Sequence, residues 1–151
     1  MYWSLKESEK IKQSIEYLDT AVLPLLPVSL KKDMEKAALM TEFIQLLGFR
    51  LERMFKGRIL LFPGLTYLTS RDVYALLEEV WHWEKELEKE GFTHLFYLTS
   101  DPSWRVVEKE LTGTLIWLPA FSFQKMDEGG RLSVIEEHVK QLSTLFLQKW
   151  Q

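Results

Sequence analysis

The sequence contains no cysteine. Disulfides, thiolate metal sites and cysteine nucleophiles are excluded together, and the absence fits a reducing compartment. Glycine is missing where nucleotide folds need it. A dinucleotide-binding unit places Gly-x-Gly-x-x-Gly straight after its first strand so that backbone can approach the pyrophosphate. Here that position reads Leu26-Pro27-Val28-Ser29-Leu30-Lys31. The Walker pattern and the G-x-S-x-G of a nucleophile elbow are absent too, and a flavodoxin-type phosphate loop would want more hydroxyls than Ser29 alone. No stretch approaches the ~18 apolar residues of a membrane span. The longest candidate, Ala21 to Val28, is broken by Pro24 and Pro27. The opening Met1-Tyr2-Trp3-Ser4-Leu5-Lys6-Glu7 lacks the charged-then-apolar layout of a secretory signal. These gaps predict a cytoplasmic chain with no membrane segment and no cofactor.

An excess of basic charge is lacking as well. The 19 Lys and Arg residues are outnumbered by 22 Asp and Glu, for a net charge of −3. They are interleaved with acids, as in Glu84-Lys85-Glu86 and Glu88-Lys89-Glu90. A duplex-binding protein concentrates its cations on one face, so nucleic acid is not an expected partner.

What is present is the composition of an ordinary globular domain, 46% hydrophobic and 27% charged over 151 residues, and one domain spanning 1–151 is expected. Apolar runs alternate with segments of helical period. Ser4 and Glu7 have capping-box spacing for a first helix ending near Leu18. Thr20 to Leu26 reads as a strand. Ser29 caps a long helix, Leu30 to Phe55, that stops at Gly57. Arg58 to Phe62 reads as the next strand, closed by Pro63-Gly64. A helix from Arg71 to Glu90 follows, with Thr69 and Asp72 in capping-box spacing and Gly91 beyond its end. Thr93 to Leu98 reads as a strand. Asp101 caps a helix with Pro102 at its first position, where the missing N–H costs nothing. Gly113 ends it, Thr114 to Leu118 is the fourth strand, and Ser133-x-x-Glu136 opens a last helix to Trp150 after the Gly129-Gly130 loop.

Continuous apolar strands separated by helices predict an α/β three-layer sandwich around a mainly parallel sheet of about four strands. Strand order stays open. Pro24 cannot donate to a ladder and suits an edge or a bulge. The echo between Leu65-x-Tyr67-Leu68-Thr69-Ser70 and Leu95-x-Tyr97-Leu98-Thr99-Ser100 reads as shared capping chemistry, because Tyr67 lies beyond Pro63-Gly64.

In open parallel sheets ligands bind outside the carboxyl ends of the strands. That edge gathers Pro27 to Ser29, Pro63 to Ser70, Thr99 to Trp104 and Pro119 to Lys125. Free backbone N–H groups at the helix starts favour anions. A small phosphate or carboxylate ligand there would use Ser70, Arg71, Thr99, Ser100, Asp101, Trp104 and Arg105. The competing reading is that Thr69, Ser70, Ser100 and Asp101 only cap helices, and that Trp104 and Trp117 pack rather than stack on a ligand.

Three histidines are available: His82, His94 and His138. Glu78, His82 and Glu86 share one helix face, but opposite the apolar stripe of Val73, Leu76, Leu77, Val80, Trp83 and Leu87, so the row reads as solvated charge and not as a metal site. His138 lies between Ile135 and Leu142 at helical spacing, as a packed or boundary residue does, and His94 has no visible partner. No catalytic residue emerges. The aromatics say more: six Trp, five Tyr and nine Phe. Tyr74 and Trp81 fall off their helix's apolar stripe. On the second helix Leu39, Phe43 and Leu46 face away from the stripe of Leu30, Met34, Ala37, Ile44, Leu51 and Phe55. Such a helix is either enclosed in a core or presents an interface.

The stretch Tyr17-Leu18-Asp19-Thr20-Ala21-Val22-Leu23-Pro24-Leu25-Leu26-Pro27, with the overall length, resembles the YpiF-like family of small Bacillus-type proteins. The resemblance implies a bacterial cytoplasmic setting and a domain with no assigned activity or catalytic residues. The expectation is a non-catalytic module that recognises a protein partner or a second copy through helix aromatics. The alternative is a small-molecule or nucleotide-like ligand domain, with or without enzymatic activity, using the carboxyl edge of the sheet.

Overall fold

A computed structural model describes residues 1–124 and 126–151. Lys125, the last residue of the expected sheet-edge segment, lies outside them. The chain runs α1 (Ser8–Ser14), β1 (Thr20–Val28), α2 (Met34–Met54), β2 (Ile59–Leu61), β3 (Leu65–Leu68), α3 (Val73–Lys89), β4 (His94–Thr99), a 3-10 helix (Pro102–Glu110), β5 (Thr114–Trp117) and α4 (Glu128–Trp150). All strand pairs are parallel, in the order β2-β1-β4-β5, with β3 also on β1. Among the described residues no helix is long and apolar enough to cross a membrane.

The α/β sandwich around a parallel sheet is therefore present, with five strands. The fifth is β3, within the Pro63 to Ser70 segment expected only to border the sheet. β2 and β3 are two halves of one edge. Val22 pairs with Leu61 and Leu25 with Leu65, so one extra residue is accommodated around Pro63-Gly64. Gly64 takes φ +125° there, and a Cβ would lie 2.6 Å from the Leu26 side chain. Pro24 sits opposite this bulge. Phe62 N–H donates to Val22 O and Thr69 N–H to Val28 O, so even-numbered β1 residues turn their main chain toward β2 and β3. The missing N–H of Pro24 thus falls at the break in the ladder. A proline is tolerated in a strand paired on both sides for that reason.

The alternation of side chains along β1 divides the core into two. Ala21, Leu23 and Leu25 face α1, α3 and the 3-10 helix, with Tyr67, Leu76, Val80, Tyr97 and Trp104. Val22 and Leu26 face α2 and α4, with Phe43, Leu47, Phe96, Leu142 and Phe146. The crossover from β1 through α2 moves one way across the sheet and that through α3 moves the other. Crossovers of one hand then put the two helices on opposite faces.

Helix ends depart from expectation where side chains compete for the backbone. Ser4 Oγ accepts from Glu7 N–H at 3.3 Å, but residues 4–7 make turns and α1 begins only at Ser8. Ser29 Oγ accepts from Lys31 N–H and donates to the Asp33 carboxylate, a local turn that delays α2 to Met34. The cap of α3 is Asp72, accepting from Tyr74 N–H at 2.9 Å, and not Thr69. Asp127 caps α4 through Gly130 N–H at 2.7 Å, so the double glycine lies in the first turn and not in a loop. Asp101 and Pro102 open their helix as the sequence implies, accepting from Ser103 N–H, though the helix is of the tighter 3-10 type.

Candidate functional site

The order of the sheet reverses at β1: its successor β2 lies on one side and β4 on the other. The crevice outside the carboxyl ends of β1 and β4 is where such sheets bind ligands. Ser29, Thr99 and Ser100 are buried there. The Ser100 hydroxyl has no hydrogen-bond partner among the described residues, while most polar atoms around it are joined to one another. The Tyr67 hydroxyl donates to Asp101 Oδ2 at 2.6 Å and accepts from Trp104 Nε1 at 2.8 Å. Asp101 Oδ1 receives the backbone N–H and the hydroxyl of Ser103, at 3.0 and 2.8 Å. Thr99 Oγ1 accepts from Asp101 N–H and donates to Leu25 O. Thr69 Oγ1 donates to Asp33 Oδ2 at 3.3 Å. Burial, and then the hydrogen bond and charge of Asp101, push the Tyr67 phenol well above its ordinary range. The Ser29 hydroxyl, ahead of Thr69, holds the Asp33 carboxyl below its own.

Of the expected ligand residues, Thr99, Ser100, Asp101 and Trp104 come together, and Tyr67, not among those expected, ties Asp101 to Trp104. Its signal was the Tyr67–Tyr97 echo, now a pair of strand tyrosines. Trp104 is fully enclosed (0% exposed) and has no face for a flat ligand. Trp117 donates Nε1 to Ser100 O at 3.0 Å, and the Arg105 guanidinium lies 4.9 Å from its ring centroid. Ser70 is exposed. Arg71 folds back on α3, 3.6 Å from Glu79 and donating to Ala75 O. Most polar groups at this edge thus hold strand ends and helix starts in place.

The histidines do not converge. Glu78, His82 and Glu86 are all exposed. His94 lies at the opposite end of the sheet, where its N–H donates to Asp19 O. His138 packs edge-on against Phe43, 5.4 Å between centroids, with Nδ1 2.9 Å from Val134 O. Among the described residues no three His, Cys, Asp or Glu side chains group as metal ligands.

A cavity of about 690 Å³ opens elsewhere on the carboxyl side, between α2 and the segment that follows β5. Leu39, Phe43 and Leu46 of α2 form one wall, and Phe121 and Phe123 the other. Phe43 is 1% exposed and only backs the groove, stacked on Phe123 at 6.1 Å. Arg131 pins the far wall: its Nε donates to Phe123 O at 2.9 Å and Met126 O at 3.2 Å. Glu35, Lys36 and Glu42 stand with Arg131 around the opening. Three of the expected interface residues, Leu39, Phe43 and Leu46, therefore share one groove. The other two are elsewhere. Tyr74 and Trp81 belong to α3, on the opposite face of the sheet, and Trp81 Nε1 is tied to Glu110 O at 2.8 Å.

Compared with known proteins, residues 9–150 match the family described as "Protein of unknown function (DUF2487)". The chain is similar to the uncharacterized protein YpiF of Bacillus subtilis (strain 168), 30% identical over 150 residues that cover 99% of this chain and 98% of that protein. No solved structure matches.

Proposed function

This chain belongs to the DUF2487 family, which brings no activity with it, and from the chain's own geometry we propose that it is a non-catalytic binding module whose groove between α2 and residues 121–124 receives an apolar segment of a partner protein. The observation that carries this reading is an open cavity walled by Leu39, Leu46, Phe121 and Phe123, the aromatic and aliphatic lining that anchors a partner's side chains. Its volume is that of a pocket for a few inserted side chains or one small ligand. The opening carries two acids, Glu35 and Glu42, against two bases, Lys36 and Arg131. With no net sign at the rim, a neutral, apolar occupant suits it better than an anion. The walls are braced from behind by Phe43, His138 and the Arg131 bonds, so little ordering remains to oppose binding.

The test is selection of a displayed peptide library on the purified protein, followed by amide chemical-shift mapping. Peptides rich in Leu, Phe and Trp should be enriched and should shift Leu39, Leu46 and Phe121. Phe121→Ala should weaken the selected peptide at least about tenfold, the loss of ~1.4 kcal/mol or more. No enrichment, or shifts confined to other surfaces, would sink the reading.

A further inference from the structure

The two long edges of the sheet are finished differently. Beside β2, Leu61 N–H donates to Met1 O at 2.7 Å and Trp3 N–H to Leu61 O at 2.9 Å, so residues 1–3 cover the β2 half of that edge through a short parallel bridge. At the other edge, β5 pairs with β4 alone among the described residues. Leu118 N–H donates to Thr99 O, which fixes the phase of the ladder. Thr114, Ile116 and Leu118 turn their main chain toward β4. Leu115 and Trp117 turn theirs outward. Among the described residues these two N–H and two C=O groups have no hydrogen-bond partner.

Proteins blunt such an edge with a lysine, a proline, a bulge or a covering segment. Thr114-Leu115-Ile116-Trp117-Leu118 has no charge and no proline, and Pro119 comes only after it. The side chains of Leu115 and Ile116 are already committed to the two core layers, and Trp117 is fixed by its bond to Ser100 O. What the strand still offers is backbone.

We propose that β5 is a dimerisation edge, on which a second copy of this chain lays its own β5 antiparallel. The strand is complementary to itself. With a two-fold axis at Ile116, Leu115 of each copy faces Trp117 of the other, and each such pair exchanges both N–H···O bonds. All the outward groups of both strands are then satisfied, the paired strands carry no charged residue of their own, and the two sheets become one.

Sedimentation of the intact chain from low to high micromolar concentration, with amide hydrogen exchange under the same conditions, tests this. A monomer–dimer equilibrium is expected, with the Leu115 and Trp117 amides protected only where the dimer forms and the Ile116 amide protected throughout. Leu115→Pro removes one outward N–H while sparing the β4 ladder, and should abolish the dimer. If that variant does not fold, exchange in the native chain still decides. A strict monomer overturns the proposal. So does a dimer in which the Leu115 and Trp117 amides exchange freely, since such a dimer uses another surface.

Discussion

On the face covered by α1, α3 and the 3-10 helix, the largest buried aromatics carry polar atoms that must be satisfied, whereas on the face covered by α2 and α4 phenylalanines predominate. Tyr97 OH donates to Glu84 Oε2 at 2.7 Å, and the same oxygen accepts the N–H groups of Thr112 and Gly113 at 2.9 and 2.8 Å. Tyr67, Asp101 and Trp104 form a second such knot. Across the sheet, Phe96 stacks on Phe146 at 3.8 Å, and Phe146 meets Phe55 and Trp150. Directional bonds fix one arrangement and leave a buried atom stranded if it changes. Contacts between hydrocarbon rings fix position through volume alone. The dry face can therefore open into a groove at one end without orphaning any donor, and the cavity beside Phe121 and Phe123 is found there.

The two styles should fail differently. The largest effect is expected from Phe146→Ala, which empties a fully buried site flanked by three other rings and should cost about 3–5 kcal/mol by urea unfolding. Next comes Glu84→Ala. It strands the buried Tyr97 hydroxyl and two loop N–H groups, for about 2–3 kcal/mol. Adding Tyr97→Phe to that variant should cost little more, because the hydroxyl has already lost its partner. A cycle showing plain additivity would mean that the Glu84 knot does not hold this face together.

Much of this was readable from the chain, for identifiable reasons. Asp101 with Pro102, and Gly91 at φ +92°, mark element ends because their backbone chemistry allows little else. The alternation of apolar strands with helices carried the layering. β3 was hidden because Pro63-Gly64 looks like a stop, and only the pairing with β1 reveals a bulge that the chain crosses while remaining extended. The groove was half visible. Leu39 and Leu46 show on α2 as apolar residues off the main stripe, but Phe121, Phe123 and Arg131 come from a distant loop and helix start, where no periodicity announces what they face. Asp101 looked available to a ligand because its cap is local, while the Tyr67 hydroxyl that occupies its other oxygen arrives from across the sheet.

Smaller effects should appear as pH dependence, and they separate the polar face from the rest. Burial, followed by the hydrogen bonds to Asp101 and Glu84 and their charges, raises the phenols of Tyr67 and Tyr97 far above their ordinary value. In the unfolded chain each ionises near about 10. Their contribution is thus complete below that pH and is lost as pH rises through and beyond it. Tyr97→Phe should flatten the alkaline fall in urea midpoint. At the amino end of the strands, burial works to raise the Asp19 carboxyl. The Arg58 fork at 3.1 and 3.2 Å, the Thr20 hydroxyl and nearby positive charge outweigh it, so the carboxyl titrates below its ordinary value. That contribution is present above about 4 and is lost as pH falls below it toward the folded value. Asp19→Asn should therefore flatten the acid limb and leave the alkaline one alone. Both limbs moving together in either variant would contradict the assignment.

The smallest change in stability is expected from Phe121→Ala, and it bears most directly on what the dry face is for. Phe121 is 40% exposed and leans on Phe123 with centroids 5.4 Å apart. The strut behind it, Phe43 stacked on Phe123 and braced by His138, does not depend on it. Its removal should alter the free energy of unfolding by no more than about 0.5 kcal/mol, the range of ordinary surface substitutions, while the groove loses half of one wall. A loss comparable to that of a core phenylalanine would mean that the wall belongs to the fold, and the groove would then be a seam between helices and not a place for a partner.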